Sequence, residues 1–441
     1  MAYEANFRSP AGAARSVAGA LAGRASRHVL ALRGSEALRA AWRVFWPVRL
    51  AVLALGFFAA LSLGPPGHGG LGERNAAKFD EPALTAPIGG FGKLALSPLA
   101  RWDSVWYLRV ADHGYPHGGA EAAFFPLYPG LARAVGTLGG GSRGAVLIAA
   151  YLISLTALLA ALVVFYRLAS LELGKRLAGP SLLLLSLFPG ALYFGAPYSE
   201  SLFLLASVGA FYAARTGRWP WAGGCLAAAA ATRSAGVLLV VPVALVFMQH
   251  LRAGGRRSDG LWLLLGPAGV AAFALLLGLQ QGDPFLFTHV QDFWYREFAG
   301  PLVGVWDGLV AAVDGGRQLL SGSRDTVYFT RAGGDPFRVA GMNLMLFGFL
   351  VFALVACWGT LRRLPPAYGV WVGLALLLPL SFPVGPQPLM SLPRFLAVLF
   401  PIFMWLALVC DERGWTERMA GLFGMGLGLF TVQYATWHFI A

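Results

Sequence analysis

The sequence predicts an all-α polytopic membrane protein, and three observations predict it. Of its 441 residues, 57% are hydrophobic and only 12% charged, with a mean hydropathy of +0.63, where soluble domains carry roughly 25% charged residues. Apolar runs near the roughly 17–25 residues that span a bilayer recur along the chain. Between those runs the basic residues gather in short groups, as topology signals do. The net charge of +13 is carried almost wholly by arginine, with Lys78, Lys93 and Lys175 the only lysines. Such a charge invites a nucleic-acid reading, which the placement of the arginines between apolar spans excludes. Cys225, Cys357 and Cys410 fall inside apolar segments, so no disulfide framework or zinc spacing follows.

The elements follow in order. The first forty residues are Arg- and Ala-rich and lack the compact apolar stretch and small-residue cleavage site of a signal peptide. Their arginines, Arg8 through Arg43, outnumber Glu4 and Glu36, so residues 1–44 are expected as a cytoplasmic tail and 45–441 as the membrane domain. Trp46–Leu63 is the first crossing, with Arg49 near enough to its inner end to snorkel. Residues 64–141 form a first external loop, opened by the Gly/Pro-rich stretch Gly64–Gly70 and too long for a mere connector. Ala145–Tyr166 returns inward to Arg167, Lys175 and Arg176, Pro180–Ala196 exits, and Leu202–Ala214 lands on Arg215 and Arg218. Since Arg252, Arg256 and Arg257 also read as cytoplasmic, an even number of crossings must intervene. The break at Ala231–Gly236 supplies two short ones, Trp219–Ala231 and Gly236–His250, with Arg233 recessed at their outer end. Such short legs are tolerated where backbone lines a protein cavity. Leu261–Leu279 exits, residues 280–338 form a second external loop, and Val339–Leu361 enters to Arg362 and Arg363. Tyr368–Val384 exits, Phe395–Cys410 enters and Gly421–Ile440 exits, for eleven expected crossings. No internal repeat is visible, which weighs against a secondary transporter.

This alternation puts every unusual polar motif on the external side: RWD at 101–103, APYSE at 196–200, TRS at 232–234, the GDP loop near Asp283, and SLPR at 391–394. The stretch Arg101–Pro129 is the densest of them. A helix over Arg101–Asp112, at about 100° per residue, puts Asp103, Trp106, Tyr107 and Val110 on one face. Asp112 falls opposite, three residues after Arg109, where an intrahelical ion pair satisfies it and leaves Asp103 as the unpaired carboxylate. The turn signals His113–Pro116 and Gly118-Gly119 end the helix. Phe124–Pro129 reads as an aromatic ledge at the membrane surface.

Each candidate has a plain structural reading beside the functional one. Asp103 is a helix cap or a partner of Arg101, or else a general base. Glu200 opens a helix, where a carboxylate is favoured anyway, or else touches an acceptor or metal. Arg233 snorkels to the interface, or is a guanidinium held among short helices for a phosphate. Arg394 is an interfacial anchor or a second phosphate ligand. His289, Gln291, Trp294 and Arg296 fall on an expected surface helix, solvated or substrate-contacting. Arg101, Tyr107, His113, Tyr115, Tyr128 and Tyr198 complete the substrate-contact candidates. H-E-x-x-H and P-loop patterns are absent from the sequence, and no G-x-G-x-x-G dinucleotide fingerprint, which needs a strand before it and a helix after it, is found, so neither a zinc site nor a soluble-nucleotide donor is supported.

Taken together, RWDSVWYLRVADHGY, AFFPLYP, APYSESLF, ATRSAG, GDPFLFTHVQDFW and SLPRFLAVLFP resemble, in this order and spacing, the PIG-V-like mannosyltransferases, the family of GPI mannosyltransferase 2. The resemblance runs from about Arg101 to Pro401. It implies a GT-C fold with its active site on the non-cytoplasmic face and a polyprenyl-phosphate sugar, mannose being expected, as an inverting donor. It carries an essential first-loop carboxylate onto Asp103 and lipid-phosphate arginines onto Arg233 and Arg394. The implied acceptor is lipid-linked or a glycolipid. The arginine-heavy composition is that of a high-GC genome, more typical of bacteria, where a plasma-membrane location is expected and a GPI acceptor is not. No cofactor is required if arginines neutralise the phosphate; a divalent ion near Glu121 and Glu200 is the alternative. Two further readings stay open: a GT-C protein O-mannosyltransferase, and a non-enzymatic glycolipid translocator.

Overall fold

The computed structural model describes residues 35–63, 71–330, 335–385 and 387–440. Most of the expected tail lies outside the described residues; of its end, residues 36–44 already belong to the helix Glu36–Leu63. The described chain is helical, and its helices come in two lengths with different purposes.

Five helical stretches are long and apolar enough to cross a membrane: Glu36–Leu63, Arg143–Leu173, Ser234–Arg252, Arg257–Gln281 and Pro336–Arg363. Local sequence sets their ends. The Ser142 side chain accepts from the Ala145 backbone N–H at 3.2 Å to start the second. Asp335 caps the last through the Phe337 N–H at 3.2 Å, with Pro336 at its first position. A sixth span exists if Lys175–Leu187 and Pro189–Gly195, bent by 82°, are one. Of the remaining expected crossings, Glu200–Arg215, Trp219–Thr232, Pro366–Ser381 and Phe400–Arg413 are too short, and Thr416–Ala435, with 20 residues, is long enough but not apolar enough. All-α polytopic architecture is therefore seen, and eleven spans by length are not.

Ion pairs tie the ends that the arginine pattern assigned to the cytoplasm. Glu36 accepts from Lys175 at 2.6 Å and from Tyr166 at 2.9 Å. Glu172 holds Arg215 at 2.5 Å and Tyr368 at 2.9 Å, Arg176 meets Asp411 at 2.5 Å, and Arg363 meets Glu412 at 2.6 Å. From that end, helices of 14–16 residues rise only about 21–24 Å at about 1.5 Å per residue. Arg143–Leu173, with 31 residues, rises about 46 Å. The short helices thus stop below the roughly 30 Å hydrocarbon thickness, and their tips carry Glu200 and Arg233.

The snorkelling expected of Arg49 does not occur. Its helix begins at Glu36, so Arg49 lies about 20 Å above the inner end, beyond side-chain reach of the interface. It is buried and donates to Ala191 O at 2.8 Å and Ser186 O at 3.3 Å, carbonyls freed at the 82° bend. The aromatic ledge is also absent: Phe124, Phe125 and Tyr128 are buried, with Phe125 against Phe273 at 4.9 Å and Phe124 against Tyr107 at 5.0 Å. Six consecutive apolar or aromatic residues bury better under a loop than on a surface. The segment expected as the second external loop contains a helix that periodicity did not reveal, Pro301–Ser321. Gly304 lets it approach the Ser381 end of Pro366–Ser381, since a Cβ there would sit 2.1 Å from Leu380 O. Asp307, Asp314 and its many glycines disguise an apolar face that exposes Leu302, Trp306, Leu309 and Val313.

Candidate active site

Asp103 is the first residue of the helix Asp103–His113. The turn before it is unusual, with Trp102 at φ +53°, a conformation that L side chains adopt only when surroundings enforce it. Phe79, Trp437 and Phe439 enclose the Trp102 ring at 5.4, 5.4 and 5.1 Å. Two tyrosines clamp the backbone: Tyr198 accepts from the Asp103 N–H at 3.0 Å and donates to Arg101 O at 3.2 Å, while Tyr434 donates to Arg101 O at 2.8 Å. Tyr107, one turn on, meets Ser199 at 2.6 Å and fastens the helix to the Pro197–Glu200 turn.

The charges join into one alternating chain. Arg233, the residue closing Trp219–Thr232, donates to Glu200 Oε1 at 2.5 Å. Arg394, on the short helix Leu392–Ala397, donates from Nε to the same oxygen and from Nη1 to Asp103 Oδ2. Arg394 also lies over the Tyr198 ring at 4.7 Å. The side-chain exposures run 16% for Arg233, 0% for Glu200, 8% for Arg394 and 29% for Asp103. Taking charges out of water is costly unless each is paired and hydrogen-bonded, and alternation gives every buried member an opposite neighbour. Asp103 is the accessible end. It pairs with Arg394, neither unpaired as expected nor bound to Arg101.

Arg296 completes the neighbourhood. Its guanidinium and that of Arg233 share the Phe395 ring, at 5.8 and 5.5 Å. Burial pushes Arg296 down to about 10; Asp103 acts to raise it, and Arg394 and Arg233 to lower it further. It therefore stays charged at neutral pH.

The other candidates divide. Arg101 pairs with Asp80 at 3.6 Å and lies over Trp437 at 4.8 Å. Trp294 meets Trp106 at 5.0 Å, beside the face that carries Asp103, and its Nε1 has no protein partner. Tyr128 is fully buried, donating to Ala150 O at 2.9 Å, and Tyr115 donates to Phe124 O at 2.8 Å. His113 is exposed at the helix end, 4.0 Å from Asp112. His289 pairs with Asp283 at 2.7 Å and Gln291 donates to Phe287 O at 3.0 Å. The single surface helix expected for His289 to Arg296 is instead a four-residue helix, a 3-10 turn and an extended Arg296 bridged to Val384. The Arg109–Asp112 pair is replaced as well. Arg109 binds Glu81 at 2.6 Å and Asp112 binds Arg143 at 2.9 Å, because neighbouring elements offer each a closer partner. Asp80, Tyr434 and the role of Arg296 at the cluster were missed; an aromatic-flanked arginine in an external loop was the available signal for the last. Among the described residues no group of three or more His, Cys, Asp or Glu side chains has metal-holding geometry. A cavity of about 390 Å³ lies elsewhere, between Asp103–His113 and Leu127–Leu138, lined by Asp112, Tyr115 and Arg133.

Residues 72–259 match the family model described as Mannosyltransferase (PIG-V). The chain is similar to GPI mannosyltransferase 2 of Yarrowia lipolytica, 37% identical over 215 residues, which are 47% of this chain and 56% of that protein. It is similar to GPI alpha-1,6-mannosyltransferase 2 of Rattus norvegicus, 34% identical over 244 residues, 52% of this chain and 47% of that protein. The chain spans about half the length of the curated relatives it matches. Among solved structures, the oligosaccharyltransferase of Archaeoglobus fulgidus in the apo form overlays with a TM-score of 0.44 at 16% identity, over 89% of this chain and 56% of that one. ArnT from Cupriavidus metallidurans bound to undecaprenyl phosphate gives 0.34 at 16% identity, over 71% and 67%. Three of the four members of the ion chain, Asp103, Glu200 and Arg233, lie inside the matched segment, and over residues 72–259 the resemblance to the PIG-V mannosyltransferases is established.

Proposed function

We propose that this protein is a membrane glycosyltransferase that moves a sugar, mannose by the names of its relatives, from a polyprenyl-phosphate donor to a lipid-linked or glycolipid acceptor. The observation that carries the proposal is the alternating chain Arg233–Glu200–Arg394–Asp103, which ends in a partly exposed carboxylate. In the proposed step Asp103 takes the proton of an acceptor hydroxyl. The acceptor oxygen bonds to the anomeric carbon from the face opposite the phosphate. The bond from that carbon to the phosphate oxygen breaks, its electron pair stays on polyprenyl phosphate, and the configuration inverts. Guanidinium groups beside the leaving oxygen stabilise the charge that collects there. Asp103 Oδ2 accepts from Arg394, so Oδ1 is the oxygen left to act as base.

The site is proposed to face the non-cytoplasmic side of a bacterial plasma membrane, opposite the end tied together by Glu36, Glu172 and Asp411. The test is sugar transfer by the full chain in nanodiscs, with polyprenyl-phosphate mannose and a glycolipid acceptor. Asp103→Asn is expected to lower turnover about 10²–10⁴-fold, the range of a lost general base, with thermal unfolding nearly unchanged. Near-normal turnover in that variant, or the absence of any transfer by the parent protein, overturns the proposal.

A further inference from the structure

The ion chain is neutral in itself, with two guanidiniums and two carboxylates. If Arg233 left Glu200 to bind a phosphate, it would weaken the neutralisation of a carboxylate with no exposure at all, and stripping a partner from a buried charge is strongly unfavourable. Arg296 carries no such obligation. Among the described residues no carboxylate lies within ion-pair distance of it, although Asp103 and the two chain arginines are its electrostatic neighbours. Its charge is the surplus of the cluster.

Its position is built. The Arg296 N–H donates to Gln291 O at 3.2 Å, the Gly385 N–H to Tyr295 O at 3.1 Å and the Ala299 N–H to Ser381 O at 2.9 Å. These bonds fasten the segment to the outer end of Pro366–Ser381, next to the turn leading into Arg394. Tyr295, at φ +55°, turns the chain so that Arg296 meets Phe395. Exposed rings flank it: Phe293, Tyr295 and Phe298 are 59%, 72% and 74% accessible. A planar, permanently charged guanidinium between exposed aromatics matches an anionic oxygen group carried at headgroup depth on a lipid.

We infer that Arg296 is the residue that receives the phosphate ester of the lipid substrate, with Arg233 and Arg394 acting behind it to hold Glu200 and Asp103 in place. The inference rests on the glycosyltransferase reading above and assigns one of its contacts to a residue outside the matched family segment.

The experiment uses the full chain in phosphatidylcholine nanodiscs and follows intrinsic tryptophan fluorescence, since Trp294 lies two residues from Arg296. Three ligands are titrated separately: polyprenyl phosphate in the disc, phosphatidylglycerol in the disc, and inorganic phosphate in the buffer. Arg296→Gln is expected to weaken polyprenyl phosphate about 10–100-fold, the worth of a charge-assisted hydrogen bond, and to raise the donor KM while kcat changes little. Arg317→Gln, at an exposed site 77% accessible, leaves both unchanged. Arg296→Lys, which keeps the charge and loses the fork, weakens binding several-fold and carries the test if the glutamine variant does not fold. Wild-type affinity in either variant overturns the inference, and so does Arg296-dependent binding of inorganic phosphate or phosphatidylglycerol as tight as that of polyprenyl phosphate. Failure of the parent protein to bind polyprenyl phosphate at all defeats the underlying glycosyltransferase reading instead.

Discussion

Glu200 shows how a single buried residue can hold two guanidiniums in place. It is wholly buried and accepts from both Arg233 and Arg394. Glu200→Gln leaves two guanidiniums without their shared counter-charge and is expected to destabilise the protein by about 3–5 kcal/mol, the range for breaking a buried ion pair. Denaturant or thermal unfolding in nanodiscs measures this; a stability equal to the parent's removes Glu200 from its structural place. Asp103→Asn, at the accessible end of the same chain, is expected to cost about 1 kcal/mol or less. The two carboxylates therefore separate, one by stability and the other by turnover. Because the charge of each is already balanced by arginine, transfer is expected to proceed equally in chelator and in added magnesium. A loss of activity on chelation, restored by a divalent ion, reverses that expectation. The sequence marked Asp103, Glu200, Arg233 and Arg394 as singular for their apolar surroundings. That one guanidinium bridges two carboxylates from distant segments has no local signature.

At the scale of elements, the bend between Leu187 and Pro189 organises one side of the cluster. Arg49 fills the carbonyls that the bend exposes, as no lipid or water can at that depth. Arg49→Met should cost about 1–3 kcal/mol, the penalty for buried acceptors left without a donor, and the thermal midpoint in nanodiscs checks it. Gly190 in the bent turn lies against the residue before Arg394, and a Cβ there would come 2.3 Å from Pro393 O. Gly190→Ala must push Pro393 and Arg394 away, with an overpacking cost of about 1–3 kcal/mol. Transfer activity is expected to fall further than the folded fraction does. The sequence reads Pro180–Ala196 as one crossing and foretells neither the bend at Pro189 nor what caps it.

For the whole molecule, helix length divides the labour. Long helices carry the chain across, while short ones tied at one end stop beneath the site. The orientation is open to test by cysteine labelling in a background with Cys225, Cys357 and Cys410 replaced. Thr137→Cys, exposed near the site end, is expected to react with an impermeant maleimide on intact cells. Ser258→Cys, exposed beside Arg256 and Arg257, is expected to react only after permeabilisation. The opposite pattern puts the site in the cytoplasm and sinks the proposed location.

The sequence by itself determined the all-α membrane architecture and the identity of the charged residues, because hydropathy acts locally. It misread what depends on partners: Arg49 at the bend, the buried Phe124–Tyr128 stretch, the pairs of Arg109 and Asp112, and the helix Pro301–Ser321. Only the tertiary structure decided that Asp103 and Arg394, 291 residues apart, share an ion pair. A charge buried in an apolar bundle must find its opposite wherever the fold brings one within reach, and chain order carries no record of that distance.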